Sequence, residues 1–472
     1  MIRYIDFAAP RRRSLTVALF LLASLGFGLK QGRAGDWPQI LGPDRSGAAT
    51  GESLFAEGNI PWDGQASGAS GAAKPLWSAK VGAGYAGPIA TRGVAYLLHR
   101  QQDENLLTAF DLQKGSRLWE VSFPASYQGG IDPDEGPRAT PVAVDDPADP
   151  QRKLIVCFTA EADLHVVRTP AASDERTAEG ARGTIVWSRK LGEEYRIFDS
   201  YFGAGSSPIV VGNRILVNLG GRDGAGIVAL DLATGKTLWK ATDEQASYSS
   251  PIAAKVGTRD AVVFVTRLNL LGIDPAKGDV LFTTRFGQTG PTVNAATPTL
   301  VGKNVFVTAS YNLGCRMVDV SGADVLSEGP QDVWASERML SSQYATPLLG
   351  PGLEKVGGYL YGCDGREDQG AIDLVCLRAS DGKEMWRVSG EGMTHLIRVG
   401  DSALGLNVDG TLTQFPLNPS AFNPIAKGKL TKPSCRALPA LSEGVFLARQ
   451  TDDAGGSLVA LRVGPSAEKS PR

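Results

Sequence analysis

Side chains able to bind or react cluster just before a series of short apolar segments, each opening with a small residue and, in most cases, a proline. The candidates are Tyr85, Arg138, Thr140, Ser206, Ser207, Tyr248, Ser249, Asn294, Thr297, Tyr344 and Thr346. Hydroxyls, amides and tyrosine rings suit a glycan or a peptide, and an arginine can anchor an anion. Two alternatives stay open. The hydroxyls could satisfy backbone groups where strands begin, or the tyrosines and the arginine could act as acid and base in a hydrolase or lyase.

Other residue types with catalytic or metal-binding potential lack the required spacing. His99, His165 and His395 are scattered through strand-like segments, which favours interior or surface roles over metal binding. Carboxylates at 132–135 and 364–368 could attract calcium, but neither stretch has an EF-hand or nonapeptide register. The sequence therefore predicts solvated acidic loops, no metal site and no catalytic residue.

The five cysteines include no CxxC pair, so they do not match zinc-ribbon, thioredoxin-like or haem-attachment spacings. Cys363 and Cys376 lie on the two arms of a predicted hairpin and could form a disulfide in an oxidising compartment. The other three are expected to be small buried apolar residues.

A repeat of roughly 40 to 50 residues must position these side chains. Its clearest copy is ALDLATGKTLW, followed in quality by AFDLQKGSRLW, GIDPAKGDVLF and CLRASDGKEMW. Each copy is a strand, a turn with a glycine where positive φ is needed, and a second strand with an aromatic residue. That residue is placed to pack between neighbouring sheets. The predicted docking residues are Trp77, Trp119, Trp187, Trp239, Phe282, Trp334 and Trp386.

The apolar segments begin near residues 88, 141, 208, 251, 298, 347, 396 and 438, which gives eight units. Proline suits the first residue of a strand because it donates no ladder hydrogen bond. Residues 74–82, KPLWSAKVG, would supply the outer strand that the last unit lacks and so close a ring. The sequence thus predicts an all-β protein, an eight-bladed β-propeller of four-stranded antiparallel sheets. Residues 169–183 are interpreted as a surface excursion.

Four segments follow from these boundaries: a signal peptide at 1–34, an N-terminal extension at 35–73, the propeller at 74–464 and a tail at 465–472. An uncleaved anchor is the alternative for the first. Removing residues 1–34 changes the net charge from −2 to −7, which argues against a nucleic-acid partner. No later apolar run is long enough to cross a bilayer, so a periplasmic or extracellular location is expected.

The ALDLATGKTLW unit resembles the tryptophan-docking motif of quinoprotein propellers, and the chain from Asp36 onward is similar to PQQ-like repeat proteins of bacterial envelopes. The segments DWPQILGPDRSG, GPRATP and YSSP resemble a secreted subgroup whose activity is not established. The resemblance implies, for enzymatic members, a quinone on the propeller axis between an adjacent cysteine pair and a tryptophan, with calcium-binding carboxylates.

This sequence has no Cys-Cys dipeptide, and only Trp37 and Trp62 stand outside docking or near-docking positions. No cysteine precedes Cys157, so lipid attachment is not expected. We therefore expect a non-catalytic exported propeller that has no cofactor and binds an envelope protein, peptide or glycan at its channel rim. A dehydrogenase dependent on PQQ and calcium is the alternative.

Overall fold

Antiparallel four-stranded sheets account for nearly all regular structure in the described residues of the computed structural model. These are residues 35–62, 73–177, 180–198, 201–290, 292–322, 324–351, 358–452 and 455–465. The predicted signal peptide and residues 466–472 of the predicted tail lie outside these ranges.

Eight sheets are formed within the described ranges, and each is named here by its order along the chain. The first strand, β1 (Trp77–Val81), belongs to sheet 8. Sheet 1 is β2 (Ile89–Thr91), β3 (Val94–Gln101), β4 (Glu104–Asp111) and β5 (Arg117–Pro124); sheet 2 is β6 (Val142–Asp146), β7 (Asp149–Phe158), β8 (Asp163–Arg168) and β9 (Thr184–Lys190). Sheet 3 is β10 (Ile209–Val211), β11 (Arg214–Asn218), β12 (Ile227–Asp231) and β13 (Thr237–Ala241); sheet 4 is β14 (Ile252–Val256), β15 (Arg259–Val265), β16 (Asn269–Ile273) and β17 (Val280–Arg285).

The second half of the chain repeats this arrangement. Sheet 5 is β18 (Thr299–Val301), β19 (Asn304–Ala309), β20 (Gly314–Asp319) and β21 (Gln331–Ser336); sheet 6 is β22 (Leu348–Leu349), β23 (Tyr359–Asp364), β24 (Asp373–Arg378) and β25 (Glu384–Val388). Sheet 7 is β26 (Thr394–Val399), β27 (Ser402–Asn407), β28 (Thr411–Pro416) and β29 (Ala426–Lys429); sheet 8 adds β30 (Ala440–Ser442), β31 (Val445–Asp452) and β32 (Gly455–Arg462). Short helices occur at α1 (Leu191–Glu194) and α2 (Val325–Glu328), with a 3₁₀ turn at Glu367–Gln369. No helix in the described ranges has the length and hydropathy that a bilayer crossing requires.

The predicted eight-bladed propeller is confirmed. The innermost strands begin within a few residues of the predicted starts, and seven of the eight follow a proline directly. As predicted, β1 closes the ring by pairing antiparallel with β32, from Trp77 opposite Ala460 to Val81 opposite Gly456. The pairing covers the outer edge of β32, so the third strand of the last sheet is not left exposed. Buried aliphatic and aromatic side chains pack between neighbouring sheets around the ring.

Tryptophans on the outermost strands join each sheet to the next. The indole N–H of Trp187 donates to the carbonyl of Leu232 at 2.9 Å, and that of Trp334 donates to Ala379 at 2.8 Å. Trp77, Trp239 and Trp386 make equivalent bonds, and Phe282 is buried at the corresponding place. A glycine lies under the ring: at Gly235, where φ is +70°, a Cβ would stand 2.8 Å from the indole of Trp187. The repeat therefore needs glycine for both conformation and space.

The interpretation of residues 169–183 as a surface excursion needs correction, because part of this segment is a docking element. Sheet 2 has no short turn before its outer strand, so it offers no turn carbonyl to Trp119. Glu175 supplies the acceptor: its Oε1 receives hydrogen bonds from Trp119 Nε1 at 3.0 Å and from the Tyr96 hydroxyl at 2.8 Å. Gly183 lies under the Trp119 ring. The long segment therefore replaces the repeat's usual turn.

Candidate functional site

The two faces of the ring differ in their loops. We call the face on which the innermost strands begin the rim face. It carries the connections between successive sheets and those between the second and third strands of each sheet, which follows from the antiparallel order within every sheet. All eleven predicted rim residues lie in or beside these connections.

The predicted rim hydroxyls are bonded to backbone groups of neighbouring sheets. The N–H of Gly87 bonds to Thr140 Oγ1, that of Thr140 to Ser207 Oγ, that of Ser207 to Ser250 Oγ and that of Thr297 to Thr346 Oγ1, at 2.8–3.1 Å. Ser206 Oγ donates to the carbonyl of Ser249 at 2.8 Å, and Ser249 Oγ to that of Ala296 at 2.8 Å. The Asn294 side chain donates to carbonyls of Thr266 and Phe286. These bonds support the alternative in which the hydroxyls satisfy backbone groups where strands begin. The rim side chains tie neighbouring sheets together.

Tyr85 and Arg436 form part of a charged network at the channel mouth. The Tyr85 hydroxyl donates to Asp132 Oδ2 at 3.1 Å, and Arg436 lies 3.4 Å from the same carboxylate. Arg436 Nε also donates to Glu367 Oε2 at 3.0 Å. Loops from sheets 1, 6 and 8 thereby meet over one sector of the mouth. Burial, reinforced by the Asp132 and Asp134 carboxylates, raises the pKa of Tyr85 to about 12, the wrong direction for a general base.

Arg138 is held beside this network. Its guanidinium donates to the carbonyl of Gly136 and lies 3.3 Å from Asp134 Oδ1, so its charge is already paired. It also lies over two rings, 5.7 Å from the centroid of Tyr85 and 5.2 Å from that of Tyr127. Arg138, which the sequence suggested as an anchor for an anion, is therefore neutralised by Asp134 of the same protein.

The four residues proposed as acid and base do not surround one cavity. Tyr85 and Arg138 are neighbours, whereas the Tyr248 hydroxyl accepts a hydrogen bond from Phe202 N at 2.9 Å in a different part of the rim. The Tyr344 ring lies 5.7 Å from that of His395, and burial together with nearby Glu367 raises its pKa well above the ordinary value. Tyr344 and Tyr85 both lie near Arg436, so Tyr85, Arg138 and Tyr344 belong to one sector of the mouth and Tyr248 lies apart. The four-residue cluster that the hydrolase or lyase alternative requires is therefore incomplete.

A cleft of about 180 Å³ opens on the rim face between sheets 3 and 4. Its lining combines Tyr201 and Tyr248 with small residues, among them Gly205 and Ala246, and includes Asn218 of β11. The Asn218 amide donates to the carbonyl of Val265 at 3.2 Å, but its buried Oδ1 has no hydrogen-bond partner among the described residues. Of the predicted rim residues, only Tyr248 lines this cleft.

Arginines stack on aromatic rings around the rim face. The pairs are Arg138 with Tyr85 and Tyr127, Arg222 with Phe198, Arg267 with Tyr201, Arg366 with Tyr311 and Arg436 with Tyr85, at 4.1–5.9 Å from guanidinium carbon to ring centroid. All six pairs in the described ranges lie on this face. Sequence reasoning missed most of them because the partners come from different sheets.

The channel itself holds residues 35–49, which we call the N-terminal strap. Its backbone pairs with Ala90 of sheet 1, Ala143 of sheet 2 and Arg398 of sheet 7. Gly35 and Asp36 bond to residues at the face opposite the rim, Ser442 and Arg92. A short segment that contacts sheets on opposite sides of the ring must lie on its axis. Residues 35–49 of the predicted N-terminal extension thus occupy the channel.

Arg45 is the most deeply placed charge of the strap, at 3% exposure. Its guanidinium donates to the carbonyls of Pro208 and Pro251, the latter at 2.8 Å, and its Nε to Gln39 Oε1 at 2.8 Å. Burial is the one influence found on its ionisation among the described residues, and no carboxylate contributes. Burial lowers its pKa to about 9. Pro208 and Pro251, which directly precede two innermost strands, therefore also provide the carbonyl groups that surround this arginine.

The histidines and cysteines are interior residues. Burial lowers the pKa of His99 to about 3 and of His165 and His395 to about 4, so each is neutral at physiological pH. All five cysteines are buried free thiols, which contradicts the disulfide considered for Cys363 and Cys376. Cys363 stands opposite Leu374 and Cys376 opposite Tyr361, a diagonal arrangement whose spacing is too long for a bond.

The residues on the axis do not fit the quinone implied by the resemblance. The strap occupies the channel, with Trp37 buried among core side chains, and Trp62 packs against Gly428 of sheet 7. Asp132 and Glu367 are engaged by Arg436, and Asp364 by Arg387. Within the described ranges, no three His, Cys, Asp or Glu side chains gather as a metal site.

The eight sheets and their docked tryptophans define an eight-bladed β-propeller. Residues 166–343, less than half of the chain, match a sequence family described as outer membrane protein assembly factor BamB. Over these residues the chain is similar to PQQ-like repeat proteins. A comparison with the curated proteins yields no match.

Solved structures of the same fold are distant in sequence. BamB from Moraxella catarrhalis is 15% identical, with a TM-score of 0.52 over 84% of this chain and 98% of that one. Sqt1 from Saccharomyces cerevisiae is 9% identical, with a TM-score of 0.54 over 81% and 96%. A europium-containing methanol dehydrogenase is 11% identical, with a TM-score of 0.51 over 91% and 98%. These likenesses concern the fold, which serves binding proteins and enzymes alike.

Proposed function

We propose that this protein is a non-catalytic binding propeller that engages an envelope protein or peptide through its rim face. The observation that carries the proposal is that all six arginine–aromatic pairs among the described residues lie on that face. Arginine and tyrosine are enriched where protein partners bind, because they combine large contact area with hydrogen bonding. The pairs come from loops on a rigid ring, the usual location of binding residues.

Two further observations support a binding role over a catalytic one. The channel is filled by the strap, and the charged groups at its mouth are paired with one another. The match to a family described as an outer membrane protein assembly factor agrees with an envelope location and a protein partner.

Site-specific photo-crosslinking in the producing cell tests this proposal. A photoreactive residue at Gln128, exposed on the rim face, should give a discrete protein adduct. The matched position is Lys277, exposed in a turn on the opposite face, and should give none. Adducts from both faces alike, or from Lys277 alone, would contradict the proposal. Micromolar binding of PQQ with calcium in calorimetry would also contradict it and favour the dehydrogenase.

A further inference from the structure

We propose that the cleft between sheets 3 and 4 receives one aromatic side chain bearing a hydrogen-bond donor, a tyrosine or tryptophan of the bound protein. This inference rests on the proposed function, because it assigns one anchor point within the rim face. It is carried by an unpaired buried acceptor, by the size and lining of the cleft, and by an exposed apolar residue beside it.

The acceptor is Asn218 Oδ1. Asn218 is 2% exposed, and its amide nitrogen is fixed by the carbonyl of Val265. An amide oxygen buried without a partner is unfavourable, since it has lost its bonds to water. Among the described residues lining the cleft, this is the buried side-chain atom that has no partner. A ligand group that donates one hydrogen bond at this point would satisfy it.

The size of the cleft indicates a single ring. Its volume of about 180 Å³ is below the roughly 300–1,000 Å³ that is usual for pockets holding drug-sized ligands or cofactors. Tyr201 and Tyr248 provide aromatic surface, while small residues keep the cleft open between them. At Gly205 a Cβ would lie 2.8 Å from the Tyr248 ring, so a larger residue there would narrow the cleft.

The polar groups of the cleft argue against two other ligands, an anion and a saccharide. Arg267 lines it, but its guanidinium donates to the carbonyls of Thr292 and Gly290 and stacks 5.5 Å from the centroid of Tyr201. Its hydrogen-bonding edge is therefore engaged by the protein. A sugar ring has several hydroxyls that need partners, whereas a tyrosine or tryptophan side chain has the one donor that Asn218 can accept.

An exposed isoleucine stands next to the cleft. Ile131 is 71% exposed, the largest value among the exposed large hydrophobic residues of the described ranges. Its backbone N–H bonds to the carbonyl of Tyr201 at 3.3 Å, which ties the loop that carries it to the wall of the cleft. Interface hot spots are enriched in tyrosine and tryptophan, and they are surrounded by contacts that exclude water, which Ile131 would provide here.

The test uses N-acetyl-L-tyrosine amide and N-acetyl-L-tryptophan amide as probes, titrated into the whole protein by NMR. Both should bind with millimolar affinity. The phenylalanine amide, which lacks the donor, should bind about three- to tenfold more weakly, the value of one neutral hydrogen bond. Asn218→Leu should abolish that preference. Ala246→Phe, which fills the cleft, should remove binding of all three, whereas Ala335→Phe on exposed outer strand β21 should leave it unchanged.

Equal binding of the three amides to the unmodified protein, or tighter binding of methyl β-glucoside, would overturn the assignment. Circular dichroism of each variant separates loss of the cleft from loss of the fold. Failure of the amides to bind while Gln128 still crosslinks would reject the cleft and keep the proposed function. Crosslinking that contradicts the rim face, with amide binding intact, would reject the proposed function instead.

Discussion

Replacing Glu175 with glutamine should stabilise the protein above neutral pH. Glu175 is 6% exposed and accepts hydrogen bonds from Tyr96 and Trp119. Burial raises its pKa from 4.5 to about 7, although both hydrogen bonds act in the opposite direction. Glutamine keeps the carbonyl oxygen that these donors need and has no charge to bury. The substitution therefore isolates the ionisation of this one group.

The sign and the size follow from proton linkage. Because the folded-state pKa lies above the unfolded one, the folded protein holds a proton between about pH 4.5 and pH 7 that the unfolded chain has lost. Stability due to this group is fully present below pH 4.5, falls across that window and is lost above pH 7. The full shift corresponds to about 3 kcal/mol. Glu175→Gln should thus match the unmodified protein near pH 4.5 and exceed it by up to about 3 kcal/mol at pH 8.

Urea unfolding followed by tryptophan fluorescence at several pH values between 4.5 and 8.5 measures the difference, with the midpoint as the comparison. Glu57→Gln, at an exposed carboxylate, is the control and should leave the profile unchanged. A Glu175→Gln protein that is less stable than the unmodified one at pH 8, with a parallel pH profile, would refute the reasoning. It would show that Trp119 and Tyr96 bind an ionised carboxylate.

Four further outcomes are expected. Arg45→Lys keeps the charge but loses the planar fork in its carbonyl cage, so urea unfolding should show a loss of about 2 kcal/mol; an unchanged midpoint would contradict the cage. Arg449→Met removes three hydrogen bonds at the seam between sheets 8 and 1, to the carbonyls of Gly82, Ala86 and Leu98, and should lower the unfolding free energy by about 3 kcal/mol; a more stable variant would contradict this. A thiol reagent should label none of the five cysteines in the native protein and all five in urea, whereas three would reveal a bond between Cys363 and Cys376. Gly235→Ala should lower stability by about 1–3 kcal/mol and redshift tryptophan emission, because its Cβ would meet a docked indole; an unshifted emission would argue against that contact.

The sequence predicted the ring because its signals are local and repeated. The glycine in the turn of ALDLATGKTLW and the proline before seven of the eight innermost strands act within a few residues of themselves, so the copies reinforce one another. The closing strand was predictable for a related reason. The last unit lacked an outer strand, and the segment around Trp77 carried the same pattern without a sheet of its own.

The site was less predictable because its contacts join distant parts of the chain. Nothing near Asn218 indicates that its amide lies in a cleft with Tyr248, and nothing near Glu175 indicates that Trp119 lacks a carbonyl partner. Arg45 looks like a surface residue in a loop, yet carbonyls from sheets 3 and 4 surround it. The rim hydroxyls differ in the opposite way. Their residue types indicated ligand binding, but they are already hydrogen-bonded to the backbone of a neighbouring sheet.

Closure of the ring by β1 sets the order in which the chain can fold during synthesis. Trp77 is made early, but its partner Ala460 follows 383 residues later. Joining two points so far apart opposes closure by roughly 5 kcal/mol of chain entropy. Until the last hairpin is made, β1 has no partner strand and the strap lacks its contacts with sheets 7 and 8, while the intervening sheets can assemble in sequence. β1 is therefore among the last strands to be paired although it is made early, and truncation near the C-terminus would leave it exposed to proteases.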